Sequence, residues 1–191
     1  MSSSSDLSGL PRSDLTDDGG LVLDALLWGT GDVGGAVAEV VSRGYAAMPA
    51  GGLTSAIRSF AYRRDEGFAA FRDVVAIRPK GALEAEVVDP AIPLPELKSH
   101  QVFIDRARGL VAAGAGLTFA QVNDALAKHV DPLARVLVDL TSVGSAFVGG
   151  VVATGGMGPM RLPPSATLEA VCVADGGPPR VLTDPVGIAS V

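Results

Sequence analysis

The residues with chemical promise in this chain are glycines with hydroxyl neighbours, grouped in three segments. The first is Pro49-Ala50-Gly51-Gly52-Leu53-Thr54-Ser55, which follows an expected strand. The second runs from Val111 to Thr118 around Gly114-Ala115-Gly116, passing from strand to helix. The third begins at Asp139, continues through Thr141, Ser142, Gly144 and Ser145 to Val148-Gly149-Gly150, and runs on past Thr154 and Gly155 to Gly158. A Gly-Gly pair followed by Thr and Ser offers unencumbered N–H groups and two hydroxyls. Those are the donors a pyrophosphate needs where no Lys or Arg is at hand. A run such as Val148-Gly149-Gly150 lets backbone approach a flat ring, because glycine has no Cβ to collide with it. Asp139, Thr141, Ser142 and Ser145 can hydrogen-bond ribose, ribityl and ring heteroatoms. Together the three segments suit a long anionic cofactor held by backbone.

A competing motif lies upstream. Gly29-Thr30-Gly31-Asp32-Val33-Gly34 matches G-x-G-x-x-G between an apolar run and a helix, the setting of a dinucleotide pyrophosphate on a helix N-terminus. That reading also needs an acidic residue about 20 positions on, to hold the ribose. The chain there reads Ala-Met-Pro-Ala-Gly-Gly, and no regular strand–helix alternation follows. A tight strand-to-helix turn accounts for the motif without a nicotinamide cofactor.

Other classes fit less well. The net charge of -6 opposes a nucleic-acid role, since phosphate neutralisation needs a basic face. The basic residues between Arg58 and Lys80 are interleaved with Asp65, Glu66 and Asp73, which reads as solvated surface. With one cysteine, Cys172, neither a disulfide framework nor a Cys-based metal site can form within the chain. Cys172 reads as a small buried strand residue, and His100 and His129 as surface or helix-end residues. No Ser/His/Asp arrangement, metal cluster or paired carboxylate was found, so no catalytic side chain is assigned. No apolar run approaches the ~20 residues of a membrane span, and Met1 to Gly20 lacks the order of a signal peptide. A cytoplasmic protein follows by default.

The elements that must position these segments are legible in part. Of 191 residues 48% are apolar but only 5% aromatic, which suits strands covered by Ala-rich helices. Residues 1–20, rich in Ser and Asp, are expected to be a disordered tail. Leu21 to Trp28 reads as a strand, and Thr30 or Asp32 caps a helix over 33–42 that Gly44 ends. Tyr45 to Met48 is a second strand. Further strands are expected at 74–77, 102–104, 110–113, 168–174 and 180–182. Thr118 caps a helix over 119–129 whose apolar face is Phe119, Val122, Leu126 and Val130. The fold class is α+β, with a first unit over 21–100 and a second over 101–191.

The order and wording of the glycine segments resemble the FAD-binding domain of the p-cresol methylhydroxylase/vanillyl-alcohol oxidase superfamily, which includes D-lactate and glycolate dehydrogenases. The resemblance spans roughly Thr30 to Gly176. "GDVGGAVAEVVSRGYAAMPAGGLTS" is similar to the first β-α-β unit with its pyrophosphate loop. "GLVAAGAGLTFAQVNDALAKH" looks like the strand–turn–helix opening the second subdomain. "VDLTSVGSAFVGGVVATGGMGPMR" resembles the flavin-contacting stretch, and "LEAVCVADGG" the strand and turn after it. The resemblance implies a fold of two α+β subdomains and a flavin oxidoreductase passing a hydride from a small organic substrate, such as a 2-hydroxy acid or alcohol, to FAD. It implies cofactor contacts at residues 50–55, Gly116, Asp139, Thr141, Ser142, Gly144, Ser145, 148–150, Thr154 and Gly155. The pyrophosphate loop holds no His, so the FAD is expected to be non-covalent. Family members continue beyond the equivalent of Val191, so a further strand region and a substrate domain are expected to be missing. Apolar surface left uncovered would favour self-association.

Overall fold

Glycine and aspartate shape the first turn of this chain, and the computed structural model shows how. It describes residues 15–17, 26–49, 74–88, 92–156 and 158–184. Strand β2 (Leu26–Thr30) leads into the Gly31-Asp32 turn and helix α1 (Val33–Ser42). Of the two candidate caps, Asp32 serves: its carboxylate accepts the Gly35 N–H at 2.8 Å. Thr30 instead closes the turn, its Oγ1 accepting the Asp32 N–H at 3.1 Å. The helix ends at Gly44, whose φ of +82° a side chain rarely adopts. Its inner face is Ala36, Val37 and Val40, at helical spacing.

Strand β3 (Ala46–Pro49) follows, and β4 (Val74–Pro79) pairs parallel with both β2 and β3. Leu15–Asp17, inside the segment expected to be an unstructured tail, form strand β1, antiparallel to β2. The sheet order is therefore β1-β2-β4-β3. Central strand β4 carries a continuous apolar run, and Val75, Ala76 and Ile77 are at most 2% exposed. Val75 and Ile77 pack with Ala36, Val37 and Val40 into one core. Each large aliphatic side chain so buried contributes about 1.5–3 kcal/mol.

Strand β5 (Glu86–Val88) pairs parallel with β6 (Gln101–Asp105), which pairs antiparallel with β7 (Leu110–Ala113). Glu86–Val88 thus share a three-stranded sheet with β6 and β7, in the order β5-β6-β7. The β6–β7 turn is held by the Arg108 N–H donating to Asp105 and by Gly109 at φ +68°. Helix α2 (Phe119–His129) starts on a capping box between Thr118 and Gln121. It buries Phe119, Val122, Ala125 and Leu126, while Val130, expected on that face, stays exposed beyond the helix end. Val102, Leu117, Val122, Ala125 and Leu126 form the core here, with a satellite of Phe119, Ala146 and Val151.

The stretch read as an open glycine segment contains a third helix, α3 (Val148–Thr154), ended by Gly155 in the left-handed conformation. Strands β8 (Val171–Val173) and β9 (Arg180–Leu182) close the described chain as a hairpin. The whole is a mixed α/β architecture of three α-helices and several small sheets among the described residues, consistent with the α+β class. No helix among them is long and apolar enough to cross a membrane.

Candidate functional site

Parallel pairing of β2, β4 and β3 brings their carboxyl ends to one edge. Thr30 sits beside Pro79, and Pro49 beside Ile77. Both sequence candidates for holding a pyrophosphate leave from this edge: the Gly29–Gly34 turn after β2 and the loop after Pro49. In parallel sheets ligands bind just outside this end. The loop residues themselves, Ala50, Gly51, Gly52, Leu53, Thr54 and Ser55, lie outside the described residues.

The second glycine segment is tied to the same edge. Ser99, 4% exposed, donates its N–H to the Gly31 carbonyl at 3.3 Å and its hydroxyl to the Lys80 carbonyl at 2.9 Å. Its own carbonyl accepts the Gly116 N–H at 2.9 Å. Lys80 N–H donates to Thr30. A Cβ at Gly116 would stand 2.9 Å from the Pro79 Cβ, so only glycine lets these strands meet so closely.

The third segment then stacks on the second. Val148 N–H donates to Leu117 O at 2.8 Å and Gly149 N–H to Ala115 O at 3.1 Å. Thr118 and Phe147 form a bridge, and Phe147 lies 5.9 Å beneath the Arg78 guanidinium of β4. These contacts carry the Val148 region back to the first sheet.

A broad groove of about 1940 Å³ runs along the junction. Its lining draws on Gly31–Gly35 and Val41, which form one wall, and on Ala112–Ala115 and Val148–Gly150, which form the other; Leu168–Ala174, around β8, line it as well. Of the expected contact residues the groove takes in Asp139, Val148, Gly149 and Gly150. Gly116 lies behind it in the joint. Thr141, Ser142, Gly144, Ser145, Thr154 and Gly155 are not on its lining. Thr141, Gly144 and Ser145 are exposed on the loop before α3, and the Thr154 hydroxyl is spent on the Gly150 carbonyl at 2.8 Å. Asp139 is 6% exposed and accepts the Leu162 N–H at 3.1 Å. It anchors the 158–162 turn, in which Arg161 takes a φ of +56°.

No family model, curated protein or solved structure matches this chain. The site is therefore read from its own geometry. Among the described residues no group of three His, Cys, Asp or Glu could hold a metal ion. His100 pairs with Glu86 at 3.1 Å, and His129 closes α2. Cys172 sits on β8 as expected but is exposed rather than buried, because the two-stranded β8–β9 sheet leaves that face uncovered. Partial burial pushes its thiol up from 9.0, away from a reactive thiolate.

Sequence reasoning missed two participants. Ser99 carries no motif, and nothing local shows that a strand 15 residues downstream will close on it. The α3 helix was hidden by Gly149-Gly150, poor helix formers, of which Gly149 lies against Ala115. The arrangement can bind and orient; it brings together no nucleophile and base.

Proposed function

We propose that this chain is the FAD-binding portion of a flavin-dependent oxidoreductase, built as two α+β subdomains of the p-cresol methylhydroxylase type. The observation that carries the reading is that parts of the second and third glycine segments, Gly114-Ala115 and Val148–Gly150, line one groove together with the Gly31–Gly35 turn at the carboxyl edge of the parallel sheet. The pyrophosphate would be held by the loop after Pro49 and the ring side by Val148–Gly150. Bound flavin supplies hydride acceptance from an organic substrate. The chain's own part is to hold and orient that group between its two walls and to keep water from part of it.

The two walls differ. At the Gly29–Gly31 turn an added Cβ meets none of the described residues within 4 Å, which supports room for a ligand there. At Gly116 and Gly149 the equivalent space is filled by Pro79 and Ala115. That second fact favours another reading, a domain that keeps this fold without a cofactor. A nicotinamide site at Gly29–Gly34 has less support. The Asp32 carboxylate already occupies the α1 N-terminus, where a pyrophosphate would have to sit. Moreover β4 separates β2 from β3, whereas a Rossmann unit keeps its first two strands adjacent.

The test is an absorbance spectrum of the purified protein, as isolated and after FAD addition and desalting. Flavin bands near roughly 370 and 450 nm that co-elute with protein and leave on denaturation are expected. A folded protein that stays colourless after FAD addition overturns the proposal in favour of the cofactor-free reading.

A further inference from the structure

The two units share no apolar core among the described residues. The core on β4 and α1 is distinct from the two cores beneath α2 and α3. What joins them at the groove floor is a polar knot centred on Ser99. Its N–H reaches Gly31 on the first wall, its hydroxyl reaches Lys80 just after β4, and its carbonyl holds Gly116, next to Ala115 of the second wall. The fit is close on every side. A Cβ at Gly114 would run into the Lys98 and Ser99 carbonyls, and one at Gly81 would stand 3.2 Å from the Gly116 carbonyl. Other contacts between the units are apolar or cation–π: Arg78 over Phe147 at 5.9 Å, Pro179 at 3.9 Å from the Gly34 position, and Val41 of α1 against Gly176. Hydrogen bonds fix distance and angle where an apolar contact would slide.

We propose that Ser99 is a positioning residue that sets the spacing and angle of the two groove walls. Its role in ligand affinity rests on the flavin reading; its role in the joint does not. Loss of the hydroxyl removes the part-buried bond from Ser99 to the Lys80 carbonyl, and the walls gain freedom to rotate about the 79–81 segment.

The test compares the protein with its Ser99→Ala form. Spin labels are placed at Ser42→Cys on α1 and Lys128→Cys on α2 in a Cys172→Ser background, all three positions being exposed. Ser99→Ala is expected to keep a cooperative melt and to broaden the label-to-label distance distribution measured without ligand. FAD affinity is expected to fall about tenfold, the size of effect for one buried hydrogen bond. A folded Ser99→Ala protein whose distribution stays as narrow as the parent's overturns the joint. Should that variant fail to fold, Gly81→Ala strains the same joint from its other side and is read the same way. A broadened distribution with undiminished FAD affinity overturns the positioning role. Broadening in a protein whose parent form takes up no FAD upholds the joint and sinks the flavin reading instead.

Discussion

An alanine Cβ built at Gly31 meets nothing within 4 Å, whereas one built at Gly114 stands 2.5 Å from the Ser99 carbonyl carbon. The two glycines lie on opposite walls of one groove and read alike in the sequence. Their reasons for being glycine differ. Gly114, Gly116 and Gly149 are small because another part of this chain occupies their side-chain space. Gly29 and Gly31 have no atom of the described residues within 4 Å of where a Cβ would stand. A glycine-rich segment therefore signals close approach, but the approaching partner is as readily the protein's own backbone as a ligand. Only the open wall retains room that a cofactor could take.

The largest effect should come from the closed wall. Gly114→Ala places a methyl against the Lys98 and Ser99 carbonyls, which are backbone and cannot swing aside. A loss of about 3 kcal/mol or more is expected in urea unfolding, at the upper end for overpacking. Gly149→Ala is a finer case because two effects compete. Alanine gains about 1 kcal/mol over glycine inside a helix, but its Cβ would lie 2.6 Å from the Ala115 Cβ. Overpacking of about 1–3 kcal/mol should match or exceed this, leaving a net loss of up to about 2 kcal/mol. A gain in stability would show that α3 shifts freely on the Gly114–Gly116 turn, and the closed wall would lose its meaning.

On the open wall the effects shrink. Asp32→Ala removes the carboxylate that caps α1 and should cost about 1 kcal/mol. Gly31→Ala should change stability by no more than about 0.5 kcal/mol. Gly31→Leu extends the test to ligands. If the groove holds FAD by the loop after Pro49, this change should leave FAD uptake measurable while Gly52→Leu abolishes it. NAD binding lost at Gly31→Leu and untouched at Gly52→Leu would reverse the assignment of the two loops.

These contrasts also show what the sequence could convey. Helix α1 and helix α2 were legible to their end residues, because caps and apolar spacing are local. The β6–β7 hairpin was equally plain from its apolar runs and the Asp105–Gly109 turn. Strand order was not legible, since nothing near Val74 says that β4 will insert between β2 and β3. The pairing of β5 with β6 was hidden for the same reason. At the candidate site the glycine segments were recognised, and Asp139 with Val148–Gly150 does line the groove. The identity of each glycine's neighbour was beyond reach, because it is fixed by contacts such as Gly114 on Ser99 that form only on folding.

The smallest expected effect concerns a glycine N–H that already holds an anion. The Asp175 carboxylate accepts the Gly177 N–H at 3.4 Å and the Arg180 guanidinium at 2.6 Å in the β8–β9 turn. The Gly177 bond first, and then the Arg180 charge, hold its carboxyl below the ordinary 3.8. Its contribution to the hairpin is therefore present at neutral pH, begins to fade as pH drops through the ordinary carboxylate value, and is gone below the lowered one. The group is fully exposed, so water screens the effect, and it should be visible locally rather than in global unfolding. The Gly177 amide resonance should titrate below the usual aspartate range and cease to titrate in Asp175→Asn. Titration at or above 3.8 would mean that a glycine N–H and a nearby guanidinium do not suffice to hold a carboxylate on this surface. The same donors, backbone N–H groups beside open space, are what the proposed cofactor site depends on. Asp32 on Gly35 and Asp175 on Gly177 are its intramolecular counterparts, each using one of the chain's own carboxylates as the anion.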